Sequence, residues 1–176
     1  MAINLDPKNT ALLVIDVQNG LFSRPTPIYK GEELLENINS LSDRFARSGG
    51  TIFFIQHSNQ KLLLRDSENW RLHADLDVDG NDLVIHKTHG NAFEETELEN
   101  ELDARGIKNL VVTGLVTNGC VKATCMGGKE LGYRVILVED GHSSYIKTAP
   151  RLIKEWNRKL AEGIVDLYPT SAIFID

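Results

Sequence analysis

A thiol, a carboxylate and an ammonium give this chain the makings of a covalent hydrolytic centre: Cys120, Asp16 and Lys87. A neutral thiol is a poor nucleophile, so a reacting cysteine needs a base to take its proton and a cation to hold its anion. Asp16 can supply the first and Lys87 the second, and no histidine is required. Cys120 falls at a predicted helix start, where free N–H groups and the positive end of the helix dipole favour the thiolate. Each residue alone also has a purely structural reading. Buried cysteine serves as a small hydrophobe, an aspartate after a strand caps turns, and a lysine at a strand end is commonly solvated. The chain has two cysteines, and Cys125, five residues further along the same predicted helix, is badly spaced for a disulfide or a two-thiol redox pair.

These residues are far apart in sequence, so a fold must bring them together. Short β-branched runs alternate with helical patterns throughout, which predicts βαβ units around a mostly parallel sheet. Strands are predicted at Thr10 to Val17, Thr51 to Gln56, Asp82 to His86, Leu110 to Thr113 and Arg134 to Glu139, with a last apolar stretch from Ile164 to Leu167. Helices are predicted at Glu32 to Ser48, Phe93 to Arg105, Gly119 to Leu131 and Thr148 to Glu162; the first carries Leu34, Leu35, Ile38, Leu41 and Phe45 at helical spacing and stops at Gly49 and Gly50. Right-handed crossovers then give a single-domain, three-layer α/β/α sandwich of about six strands.

The carboxyl ends of parallel strands share one edge, where ligands bind. That edge is predicted to gather Asp16, Gln56 and His57, Lys87, the Gly114 to Cys120 loop, and Asp140. The segment from Ser58 to Gly80 lacks periodicity and is expected to cross this edge as a long loop. Gln18, Phe22, His57, Trp70, Phe93 and Asn118 are the candidate substrate contacts. Gly127 and Gly128, inside a predicted helix, imply either a kink or a closely packed neighbour.

The net charge of −6 argues against a nucleic-acid surface, because phosphate binding depends on clustered lysine and arginine. MAINLDPKNT lacks the basic and apolar regions of a signal peptide, and no apolar run approaches the roughly 18 residues of a membrane span. A cytoplasmic protein without membrane or nucleic-acid partners is the expectation.

Three motifs in order, ALLVIDVQNGLF, VIHKTHGNAF and VVTGLVTNGCVKATCMGGKELGYRVILVED, make the chain resemble the isochorismatase-like cysteine hydrolases over almost its whole length. The resemblance implies that Asp16 is the general base, that Lys87 orients and polarises the site, and that Cys120 attacks an amide carbonyl. It further implies a cis peptide between Leu115 and Val116, with the Val116 and Cys120 amides forming an oxyanion hole. Metal-binding nicotinamidases of the family carry an Asp-x-His motif where this chain reads IQHSNQ, so no metal or other cofactor is expected. Family members that cleave a vinyl ether lack the cysteine, so Cys120 points to amide chemistry on a small molecule. Asn118 stands where the family often has aspartate. The resemblance implies a homo-oligomer, and the cluster Leu62, Leu63 and Leu64 is the expected contact if it is exposed. A non-hydrolytic binding protein and a thiol redox sensor using Cys120 and Cys125 are the competing readings.

Overall fold

A computed structural model describes all 176 residues. In chain order the elements are β1 (Ile3–Leu5), β2 (Thr10–Ile15), α1 (Asn19–Phe22), α2 (Gly31–Ser48), β3 (Thr51–His57), β4 (Leu83–Lys87), α3 (Leu98–Ala104), β5 (Asn109–Leu115), α4 (Lys122–Glu130), β6 (Arg134–Ser143), α5 (Ala149–Ala161), β7 (Asp166–Tyr168) and β8 (Ile173–Ile175). Six strands form one sheet in the order β4-β3-β2-β5-β6-β7, and every pairing in it is parallel. A second parallel pair, β1 with β8, joins the two ends of the chain and was not foreseen from the sequence, since three residues carry too little periodicity to read.

Both faces of the sheet are covered, so the central strand β2 is buried without a break: all six of its residues, Thr10 and five apolar ones, are buried. Side chains still alternate. Leu12 and Val14 join Leu34, Ile38, Leu41 and Phe45 of α2 in one cluster, while Ala11, Leu13 and Ile15 face the other way. The second cluster holds Leu98 and Leu102 of α3, Cys125 of α4 and Leu160 of α5. The chain winds from β2 outward to β4, then returns to the other side of β2 with β5. That reversal puts α2 on one face and α3, α4 and α5 on the other, and it opens a crevice beyond the carboxyl ends of β2 and β5.

Several predicted boundaries move, each for a local reason. β2 ends at Ile15 because Asp16 turns into the left-handed region, with φ of 53°. α3 starts at Leu98 and not at Phe93: the Ala92 N–H donates to Thr124 Oγ1 and the Phe93 N–H to Asn91 Oδ1, which ties this stretch to α4 instead of into a helix. β6 runs on to Ser143, so Asp140 lies inside it. Its Oδ1 accepts from the Thr170 N–H and hydroxyl, both at 2.7 Å, and the residue serves the carboxyl-terminal segment and not the crevice. Gly127 and Gly128 mark close packing. A Cβ on the first would lie 2.4 Å from Asn91 Nδ2, and on the second 3.0 Å from Leu110 Cδ1.

β5 continues through Gly114, where the sequence suggested a stop. Gly114 has φ of 117°, and a Cβ there would sit 2.1 Å from the carbonyl oxygen of Ile15, its partner across the β2–β5 pair. Only glycine lets the two strands close at the point where Asp16 leaves the sheet. Gly114→Ala should therefore lower unfolding stability by ~3 kcal/mol, from combined overlap and backbone strain. Gly106→Ala, also at positive φ but with open space around it, should cost only about 1 kcal/mol. Urea denaturation measures both, and equal midpoints for the two variants would contradict this account.

Candidate active site

Four strand ends deliver the groups at the crevice. Asp16 follows β2, His57 ends β3, Lys87 ends β4, and Cys120 lies in the single wide turn Thr117–Val121 between β5 and α4. Lys87 is the hub. Its Nζ lies 3.1 Å from Asp16 Oδ2, 3.2 Å from Cys120 Sγ, 3.0 Å from His57 Nδ1 and 3.0 Å from the carbonyl oxygen of His89. Its side chain is wholly buried and that of Asp16 nearly so. An ammonium has three protons and here four acceptors, so the neutral sulfur is the weakest claimant until it becomes an anion.

The protons follow from burial. Burial raises the Asp16 pKa above its ordinary value, opposed by the attraction of Lys87. Burial also pushes the Cys120 thiol up to about 12; the neighbouring Asp16 charge adds to the rise and Lys87 opposes it. The expected helix-start thiolate is thus corrected. Cys120 precedes α4 in a turn, and desolvation outweighs what the helix end and the ammonium offer. At rest the sulfur holds its proton, and Asp16 Oδ1, buried and without a hydrogen-bond partner, is free to take it. His57 is held below its ordinary pKa by burial and by Lys87, which suits a neutral ring accepting from the ammonium at Nδ1.

One Asp16 carboxylate oxygen, a His57 ring nitrogen and Cys120 Sγ lie within 4.8 Å of one another, a grouping that could suit a metal ion. Lys87 Nζ is already within 3.0 to 3.2 Å of a ligand atom from each of the three residues. The chain's own ammonium serves as the cation of this cluster, and the residues do not fit an added metal.

The crevice is a cleft of about 270 Å³ lined by Asp16, His57, Val116 and Cys120, with apolar walls from Leu21, Leu62, Leu63 and Tyr145 and with Arg24, Asn59 and Lys61. Of the candidate substrate contacts, only His57 lines it. Gln18 is fully buried: its amide donates to the carbonyls of His57 and Trp70 and accepts from the His57 N–H, so it positions His57 instead. Trp70 stacks on His86 and donates its indole N–H to Ser58, while Phe93 stacks on Tyr133 and Phe22 packs against His73. These aromatics are engaged in packing. Asn118 is exposed and outside the cleft lining. Arg24, Asn59, Lys61 and Tyr145 were missed, because they lie in loops whose sequence has no period to read. The leucine cluster also divides: Leu63 is buried, Leu62 walls the cleft, and Leu64 is exposed.

A buried relay braces the turn that carries Cys120. Asn157 Nδ2 donates to the carbonyl of Glu139, which leaves Asn157 Oδ1 to accept from His142 Nε2 at 2.7 Å. His142 Nδ1 then accepts from the Thr117 hydroxyl at 2.8 Å. Burial lowers the His142 pKa to about 4, so the ring stays neutral and this donor order holds at neutral pH. The Leu115–Val116 peptide ahead of this turn is cis.

With this geometry in view, the chain belongs to the isochorismatase family: the isochorismatase domain matches residues 10–152. Streptothricin hydrolase of Streptomyces noursei is 32% identical over 143 residues, which is 80% of this chain but only 52% of that protein. The chain spans about half the length of that relative. The ureidoacrylate amidohydrolase RutB of Caulobacter vibrioides is 29% identical over 174 residues, covering 77% of each. The crystal structure of an isochorismatase family protein matches with a TM-score of 0.87 at 29% identity, over 91% of this chain and 98% of that one. No helix here is long and apolar enough to cross a membrane.

A protonated resting thiol has a measurable signature. Iodoacetamide should alkylate Cys120 and spare the fully buried Cys125, with a rate that climbs steadily from pH 7 to pH 10, because the thiolate fraction rises about tenfold per pH unit below the thiol pKa. Peptide mass spectrometry over a pH series gives this rate. A plateau reached by pH 8 would show a thiolate at rest and contradict the assignment.

Proposed function

We propose that this protein hydrolyses the carbon–nitrogen bond of a small amide through a thioester on Cys120. The observation that carries the reading is one buried ammonium bonded to Asp16 and Cys120 together, with the second oxygen of Asp16 unpartnered beside them. Asp16 takes the thiol proton as sulfur attacks the carbonyl carbon. As the S–C bond forms, the carbonyl electrons move to oxygen, and the Val116 and Cys120 amides are the donors this reading assigns to that oxyanion. In support, Val116 lines the cleft and its N–H donates no hydrogen bond elsewhere in the protein. When the C–N bond breaks, Asp16 returns the proton to the departing nitrogen. Water, deprotonated by the same carboxylate, then attacks the thioester; the S–C bond breaks, the acid departs, and sulfur recovers a proton.

Lys87 acts by differential stabilisation. Its contact with a neutral thiol is weak, but its contact with sulfur carrying negative charge is charge-assisted, so the ammonium favours the attacking state over the resting one. The amidohydrolase activity in the name of RutB supports a carbon–nitrogen bond as the target. A redox switch through a Cys120–Cys125 disulfide would need a second reachable sulfur, and Cys125 is sealed in the core.

The test is a screen of small amides, ureas and carbamoyl compounds for ammonia release. On any substrate found, Cys120→Ala and Asp16→Asn should each lower kcat by about 10³-fold or more, as when a nucleophile or its base is removed. Prolonged dialysis against EDTA should leave the rate as it was. Turnover retained by Cys120→Ala, or activity lost to EDTA and restored by zinc or manganese, would overturn the proposal.

A further inference from the structure

The charges around the cleft are lopsided. The carboxylate in its lining, Asp16, is neutralised by Lys87, and His57 is held neutral. The other charged residues of the lining are Arg24 and Lys61, and neither makes a salt bridge or a side-chain hydrogen bond within the protein. The chain as a whole carries −6, so a cleft with two unspent cations and no free anion runs against the average of the molecule. Unpaired cations in a concave site raise the local concentration of anions and steer them inward.

Arg24 is also held in place. Its guanidinium carbon lies 3.9 Å from the ring centroid of Tyr145, another cleft residue. This cation–π contact holds the guanidinium over the ring while its N–H donors stay unused, and a guanidinium with free donors can grip a carboxylate by two parallel hydrogen bonds. Lys61 is anchored through its backbone: the Lys61 and Leu63 N–H groups both donate to Asn59 Oδ1, which fixes this part of the long loop over the cleft. The same lining includes the apolar side chains of Leu21, Leu62, Leu63 and Val116 beside Cys120 and these cations.

From this we infer that the substrate is an amide bearing a carboxylate: a short apolar body joins the scissile carbonyl, placed at Cys120, to an anionic group bound by Arg24 and Lys61. The inference rests on the hydrolase reading for which bond is cleaved, but the anion preference itself is a binding property that can be measured without turnover.

Succinamate and 4-methylpentanamide form a matched pair, since an isopropyl group replaces the carboxylate at nearly the same size. Each is assayed for protection of Cys120 from iodoacetamide, with ammonia release followed in parallel. Succinamate should protect at concentrations about tenfold or more below those needed for the neutral amide, as expected for a charge-assisted contact. That preference should collapse toward one in Arg24→Gln and Lys61→Gln and reverse in Arg24→Glu. Equal protection by the two amides in the wild-type protein, including none by either, overturns the inference; so does a preference that survives Arg24→Glu. Selective protection by succinamate without ammonia release would uphold the anion site and count against the hydrolase reading alone.

Discussion

The site depends on one buried ammonium. Lys87 gives up its hydration entirely, a loss that is bearable only where carboxylate, imidazole and carbonyl acceptors replace water around the nitrogen. Removing one member of such a buried pair typically costs about 3–5 kcal/mol, because the other charge is stranded. The geometry of the surrounding strands follows from that demand. β4 must end at Lys87, β3 must end beside it to offer His57, and β2 must break at Asp16 into a left-handed conformation that aims the carboxylate inward. Gly114 makes this break possible by letting β5 approach Ile15 more closely than any side chain would allow.

The same burial explains the proton inventory. A thiolate formed at rest in this cleft would be costly, because desolvation and the neighbouring Asp16 charge push the Cys120 thiol up against the attraction of Lys87. In the proposed reaction a protonated sulfur resists stray alkylation and oxidation and becomes nucleophilic only as Asp16 takes its proton. Asp16 is suited to that exchange, since burial makes it a stronger base than an exposed carboxylate. The relay from Asn157 through His142 to Thr117 fixes the turn that carries the sulfur, so the proposed nucleophile is held from the α5 side of the sheet while Lys87 meets it from the end of β4.

Much of the architecture was legible in the sequence because buried parallel strands and amphipathic helices impose strong patterns, and α2 shows this most plainly. Asp16 and Lys87 could be singled out as reactive residues at strand ends on the edge where such sheets bind ligands, and Cys120 as a thiol at a predicted helix start beyond the next strand. What was not legible depended on three-dimensional competition. Phe93, Phe22 and Trp70 looked like pocket walls, but each has a packing partner that a one-dimensional pattern does not reveal. Gln18 lies just beyond β2 and Asp140 inside β6, not past its end, and both spend their polar atoms on backbone or loop partners. The helix-start argument for Cys120 weighed a local dipole and had no means of weighing burial. Arg24 and Tyr145 belong to segments far apart in sequence, and only the fold shows that they stack.

The central claim is that the acyl group of the substrate passes through Cys120 while Lys87 and Asp16 manage the charge and the proton. Its most direct test is mass spectrometry of the protein quenched in acid during the first turnover of a substrate. The account predicts a mass increase equal to the acyl group, mapped to the peptide containing Cys120 and appearing before the free acid. Free acid accumulating in that first turnover with Cys120 unmodified at every quench time would contradict it.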